Sequence, residues 1–307
     1  MIVLVGVRSE APVQMAMDAA RDLGVDFTVL DERDAANWHV DLRVDPSGTS
    51  CTVSPEGRTI ELGDVDGVYL RLVGAAPHAR GARVDPCSRA RHQAAVSLLT
   101  SWAQTTRARV ANRPEPMCSN ASKPYQAALI AAAGLQVPAT LVSNDPDEVR
   151  GFAARHGRLV FKSTSGIRSV VQELTPARAA ALDQVRFLPT QFQQLVSGTN
   201  VRAHVVADRV FACSITSTSI DYRYGGEGMT PQTVTATELP HDVDASCRSL
   251  AKTLDLPLVG IDLIHDDDGN WWCLEANTSP AYSCFEQPTG LPIARALVAW
   301  LDSGRPA

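Results

Sequence analysis

Apolar positions along the chain fall into short β-branched runs separated by stretches of helical spacing, a rhythm that predicts alternating strands and helices. Ile2 to Val7 and Val25 to Leu30 are strand-like runs around a helical stretch from about Pro12 to Leu23 that Gly24 closes, a βαβ opening. Weak strands near Cys51 and Thr59 precede Val65 to Leu72, and Ala90 to Thr105 has helical spacing. Asn112-Arg113-Pro114-Glu115-Pro116 has the composition of a linker, so residues 1–115 are expected to form a small N-terminal α/β domain.

A second unit, residues 116–192, carries clear helix punctuation. Ser122 with Pro124 opens a helix that Gly134 closes, and Asp145-Pro146-Asp147-Glu148 is a capping-box pattern for a helix stopping at Gly157. The strand Leu159 to Lys162, the small-residue loop Ser163-Thr164-Ser165-Gly166 and a strand Val170 to Leu174 lead to a helix capped by Thr175. The third unit, residues 193–307, opens on a strand spanning Gln191 to Val196. A hairpin follows (Asn200 to Val206 with Arg209 to Ile215), then a helix from Val243 to Leu254 and a terminal helix near Ile293 to Leu301.

Between those last two helices lies the densest chemistry. Val259 to Ile264 and Trp272 to Asn277 are apolar runs around the turn sequence Asp266-Asp267-Asp268-Gly269-Asn270, which predicts a hairpin. Strand alternation points Glu275 and Asn277 the same way, and antiparallel pairing brings Asp262 opposite Glu275. Facing carboxylates repel unless a proton or cation lies between them. Two acids and an amide oxygen suit Mg²⁺ better than zinc. The competing reading is a polar strand face meeting solvent, with Asp262 closing a turn.

Composition narrows the classes. With 307 residues, 45% hydrophobic and 20% charged, the chain is an ordinary globular one. A net charge of −6 with no basic block argues against nucleic acid or an anionic membrane as partner. The start reads as a first strand and not a signal peptide, and no apolar run approaches the roughly 20 residues of a bilayer span, so a cytoplasmic protein is expected. Seven cysteines without a Cys-x-x-Cys pair predict buried reduced thiols.

Lys123 in a helix's first turn and Lys162 before the small-residue loop, with Ser163 and Gly166, stand where phosphate would be held; solvated surface lysines are the alternative. Arg202 and Arg223 offer guanidinium forks for phosphate charge, or pair with surface carboxylates. Neither G-x-x-x-x-G-K-[ST] nor G-x-G-x-x-G is present, and His92, His156, His204 and His241 show no metal or relay spacing.

Taken in order, Ser119 to Lys123, Leu159 to Ser163, Gln193 to Arg202, Asp221-Tyr222-Arg223, Gly260 to Leu263 and Leu274 to Asn277 resemble the ATP-grasp superfamily, in particular its RimK-type and microviridin-type (graspetide synthetase) ligases. The resemblance covers nearly the whole chain. It implies an α/β ATP-grasp fold with α+β lobes behind a Rossmann-like pre-ATP-grasp domain, with ATP and two Mg²⁺ ions as cofactors. It places Lys123 and Lys162 on the ATP phosphates, with Ser163 and Gly166 in the loop beside them. Adenine falls at the hinge segment Gln193, Gln194, Leu195 and Val196, and the ribose near Asn200. Asp262, Glu275 and Asn277 match magnesium ligands, and Arg202 and Arg223 match phosphate-facing arginines. Gln194 and Asn200 replace acids that relatives usually carry.

The implied reaction is carboxylate–amine ligation through an acyl phosphate. Microviridin-type ligases carry a longer hairpin after the position of Lys162 that helps grip a leader peptide. The short segment Ser163 to Leu174 therefore shifts the expected substrate to an amino acid or short peptide, with a precursor peptide as the alternative. A kinase on this fold and a nucleotide-binding regulator are the remaining alternatives. A homodimer is the commonest assembly for soluble enzymes.

Overall fold

The computed structural model describes residues 1–46, 48–74, 85–164, 171–216 and 233–304. Its first sheet contains β1 (Ile2–Gly6), β2 (Phe27–Asp31), β6 (Gly67–Arg71) and β7 (Arg109–Ala111), all parallel, in the order β2-β1-β6-β7. Ile2 and Leu4 pack with α1 (Ala11–Leu23) on one face, while Val3 and Val5 pack with α2 (Pro86–Thr105) on the other. Burial on both faces explains why this strand reads as an unbroken apolar run.

An antiparallel sheet of β3 (His39–Asp45), β4 (Gly48–Ser54) and β5 (Ile60–Glu61) leans on α2. The alternation His39-Val40-Asp41-Leu42-Arg43-Val44-Asp45 forms a strand that the sequence reading passed over. The expected linker is also more structured than its composition suggests. Asn112 is buried and donates to the carbonyls of Leu258 and Thr278, while accepting from the Leu258 N–H, and α3 (Pro114–Met117) follows at once.

The second sheet has the order β10-β9-β11-β8, from β8 (Thr140–Ser143), β9 (Leu159–Ser163), β10 (Gln172–Glu173) and β11 (Thr190–Gln194). Leu159 and Phe192 pack on α5 (Pro146–His156), whose Asp145 cap accepts from the Asp147 N–H as the sequence predicts. Thr175 caps a shorter helix than its signal implies, α6 (Pro176–Ala179). The strand that opens the third unit in the sequence reading is hydrogen-bonded to both β8 and β9, so it completes the second sheet.

The third sheet is antiparallel, in the order β14-β13-β12-β15-β16. Its strands are β12 (Thr199–Val206), β13 (Arg209–Thr216), β14 (Thr233–Thr237), β15 (Leu258–His265) and β16 (Trp271–Asn277). One face is apolar. Val201, Ala203, Val259, Ile261 and Leu263 meet Ile130 of α4 (Lys123–Ala132) and Cys247 and Leu250 of α7 (His241–Thr253). α8 (Ser283–Thr289) and α9 (Ile293–Asp302) follow, and the first domain's core absorbs the apolar face of α9.

All seven cysteines are free, but only Cys51, Cys213, Cys247 and Cys273 are buried; Cys87, Cys118 and Cys284 lie on the surface, against the expectation of buried thiols. Among the described residues no helix is long and apolar enough to cross a membrane.

Candidate functional site

The polar face of the third sheet is assembled by register. Arg202 pairs with Asp262 across β12 and β15, Asp262 pairs with Glu275 across β15 and β16, and Gly260 pairs with Asn277. Cross-strand partners share a face, so Arg202, Asp262 and Glu275 form one transverse row, with Asn277 and Asn200 a step to either side. A β-bulge at Leu274 makes this possible. On the near side of the bulge Cys273 pairs with Leu263 in the core, and beyond it Glu275 pairs with Asp262 on the polar face. Were Leu274 paired regularly instead of bulged, Glu275 would share the face of Cys273 and point into the apolar layer.

Each acid has a cation against it. Arg202 Nη1 donates to Asp262 Oδ1 at 2.7 Å, and the pair is almost wholly buried. Lys123 Nζ stands 3.7 Å from Glu275 Oε1. Helical spacing puts Lys123, Gln126 and Ile130 on one face of α4. Gln126 fixes that face to β16 by donating to the Ala276 carbonyl at 2.7 Å and accepting from its N–H at 3.0 Å. Ser122 precedes the helix as expected, but its hydroxyl makes no capping bond. Asn277 accepts from the Ser279 N–H at 2.9 Å, which orients its amide while one lone pair of Oδ1 stays unused by that bond.

The other expected residues lie on the second sheet and its exit. Lys162 is buried opposite Gln191 on the face away from the apolar core, and Gln193, also buried, donates to Thr140 Oγ1. Ser163 ends that strand. At the hinge, the Gln194 and Leu195 N–H groups bond inward to the carbonyls of Ala139 and Arg158. Of the hinge amides expected to meet adenine, only the Val196 N–H lacks a partner among the described residues. Gly166 and Arg223 lie outside the described residues, as does the Gly225-Gly226-Glu227-Gly228 loop.

Three residues contribute beyond those the sequence assigned to the site. Gln126 is one. Arg71, at the end of β6, donates to both oxygens of Glu10 and to the carbonyls of Ser279 and Pro280, which ties the loop after Asn277 to the first sheet. His204 lies beside Arg202, two residues along the same strand face, a spacing that strand alternation does reveal. Burial, reinforced by the Arg202 charge, holds its imidazole well below the usual histidine range and therefore neutral. The Cys213 thiol opposite Arg202 is pushed up to about 11 by burial, and that of Cys273 rises well above its ordinary value for the same reason; neither is a nucleophile at neutral pH.

Two carboxylates and an amide oxygen on one face form a hard donor set that fits magnesium better than zinc. The cations already present at Asp262 and Glu275 show that the row is built around negative charge that must be compensated.

The protein resembles known ligases over two different spans. It is 26% identical over 186 residues to a probable alpha-L-glutamate ligase of Enterobacter sp. strain 638, covering 57% of this chain and 61% of that protein. It thus spans about three fifths of the length of such relatives. Among solved structures, ATP-grasp ligase PsnB complexed with its minimal precursor superposes with a TM-score of 0.81 at 27% identity, over 98% of this chain and 97% of that one. A Chryseobacterium gregarium RiPP-associated ATP-grasp ligase, solved with ADP and a leader and core peptide, has the same fold, with a TM-score of 0.83 at 18% identity over 98% of this chain and 96% of that one. The signature of the RimK-like ATP-grasp domain matches residues 121–301, more than half of the sequence, including Lys123, Lys162, Arg202, Asp262, Glu275 and Asn277, and the chain belongs to that family.

Proposed function

We propose that the protein is an ATP-dependent carboxylate–amine ligase that forms an amide bond through an acyl phosphate and releases ADP and phosphate. The row Arg202–Asp262–Glu275, with Lys123 at its end, carries this reading, because alternating buried charges of this kind suit a polyanion and its counter-ion. Asp262, Glu275 and Asn277 would hold Mg²⁺, which screens phosphate charge when bound; relatives' structures contain ADP and Mg. Lys123 and Lys162 would hold the phosphates, with Ser163 and Gly166 in the loop beside them. The Val196 N–H would meet adenine, Asn200 the ribose, and Arg202 and Arg223 the charge that develops on the transferred phosphoryl group. A substrate carboxylate then attacks the γ-phosphorus, ADP leaves, and an amine displaces phosphate from the acyl carbon. Positioning both reactants supplies much of the acceleration. The work is assigned to the cytoplasm, where ATP and magnesium are plentiful.

The carboxylate belongs to an amino acid or to a peptide, and a second reading, modification of a precursor peptide, has its own support. PsnB, which matches this chain end to end, was solved with a precursor. The second sheet also carries an apolar groove of about 370 Å³, lined by Phe161, Leu174, Leu182, Val185 and Phe192, with Leu188 at its lip. Phe187 beside it is 89% exposed. An exposed aromatic beside an apolar groove suits a peptide better than a free amino acid.

The test is ADP release with magnesium and hydroxylamine across amino acids, small acids and peptides, read by mass spectrometry. An acyl hydroxamate identifies an activated carboxylate and its owner. A phosphorylated alcohol would replace the ligase by a kinase, and ATP binding without turnover on any substrate would replace it by a regulator. If a peptide is the substrate, Phe187→Asp raises its KM and leaves the KM for ATP unchanged.

A further inference from the structure

Arg202 is buried to 4% exposure, and three groups from three elements define where its guanidinium lies. His204 Nε2 accepts from Arg202 Nε at 3.4 Å. The Phe285 ring of α8 lies 5.5 Å from the guanidinium carbon and 5.1 Å from the His204 ring. Below it is Gly260. A Cβ there would stand 2.5 Å from Arg202 Cζ and 2.8 Å from Pro280 Cβ, so the arginine occupies the space that any larger residue would need.

His204 is the unusual member. It is fully buried, and its Nε2 serves as an acceptor, which puts the ring proton on Nδ1, where it has no hydrogen-bond partner among the described residues. An orphaned buried N–H lowers stability, so the imidazole is a poor choice for packing alone. What it provides that an apolar side chain cannot is a lone pair aimed at Nε.

We propose that His204 is a positioning residue for Arg202: with Phe285 and the bare Cα of Gly260 it fixes the guanidinium so that one edge holds Asp262 and the whole group sits ready for nucleotide phosphate. This rests on the ligase reading only for the identity of the anion. Imidazole acceptance at Nε sets the rotation of the fork, and hence the direction in which its remaining N–H groups point.

The test reads Mg-ATP affinity by calorimetry, which needs no knowledge of the carboxylate substrate. His204→Leu keeps an apolar filling but removes the acceptor, and it weakens Mg-ATP binding by about tenfold, with the nucleotide-free thermal midpoint close to wild type. His204→Gln places an amide oxygen near the former Nε2 and restores binding. Gly260→Ala displaces the guanidinium from below and reproduces the loss, which keeps the test decisive if His204→Leu does not fold. In an Arg202→Lys background, which has no Nε–H to hold, His204→Leu has no further effect. Equal losses in both backgrounds, or wild-type affinity in both His204→Leu and Gly260→Ala, would overturn the proposal. A wild-type protein that does not bind Mg-ATP would instead overturn the ligase reading, and the phosphate role of Arg202 with it.

Discussion

Asp262 and Glu275 occupy adjacent places in one row, yet their surroundings differ enough to separate their mutants. Asp262 is buried against a buried guanidinium at 2.7 Å, whereas Glu275 meets Lys123 loosely at 3.7 Å. Removing one partner of a buried pair leaves the other uncompensated, so Asp262→Asn should destabilise the nucleotide-free protein by about 3–5 kcal/mol in urea unfolding. Replacing both, as Asp262→Leu with Arg202→Met, should recover much of that loss. Glu275→Ala belongs to the opposite class. It should lower ligase turnover by more than about 100-fold, as loss of a metal-holding oxygen does at least as severely as loss of its supports. The unfolding midpoint without nucleotide should move less than in Asp262→Asn, because the 3.7 Å contact with Lys123 is a longer ion pair than the 2.7 Å contact of Asp262 with Arg202. An active Glu275→Ala enzyme would remove the metal assignment.

At the scale of elements, the site depends on α4 being fixed to β16. Gln126 satisfies both the N–H and the carbonyl of Ala276, a residue one position short of the end of the ladder and fully buried. Gln126→Leu leaves both groups without a partner, at about 1–3 kcal/mol for each, and frees the helix that carries Lys123. The expected result is a lower thermal midpoint together with weaker Mg-ATP binding, even though Gln126 touches neither. This helix also marks how far the sequence could be read. Its start at Ser122-Lys123-Pro124 and the facing of Asp262, Glu275 and Asn277 are local, set by helix entry chemistry and strand alternation, and both were legible. The bulge at Leu274 was not, because an extra residue in a strand has no signature of its own; it shows only once Cys273 and Glu275 are seen on opposite faces. The sheet to which β11 belongs was not legible for a similar reason. Gln191 to Gln194 reads as a strand anywhere, and only its pairing with β8 and β9 says which sheet it completes. Arg71 and Asn112 escaped notice because their partners lie 208 and 146 residues away.

Across the whole molecule, the first domain is not an appendage. Its core runs without interruption into the C-terminal segment. Ile2, Leu4, Val13 and Tyr69 pack in one cluster with Val206, Leu258, Tyr282, Leu297 and Leu301. Polar ties cross the same seam, including the Tyr282 hydroxyl donating to the Pro12 carbonyl at 2.6 Å and Arg71 donating to the loop after Asn277. The first sheet and the acidic row are thus mechanically joined, which lets a parallel sheet without a nucleotide motif of its own help define the geometry of the site. Gly67 is the narrowest point of this seam. A Cβ there would meet the Leu301 carbonyl oxygen at 2.5 Å and its Cα at 2.8 Å, backbone atoms that cannot rotate aside. Gly67→Ala must therefore push α9 off β6, an overpacking cost of about 1–3 kcal/mol. Because α9 belongs to the core shared by both ends of the chain, that cost should lower one common transition in calorimetry and not release the first domain separately. Two resolved transitions, with the lower one alone shifted by Gly67→Ala, would mean instead that the seam is an interface between independently folding domains.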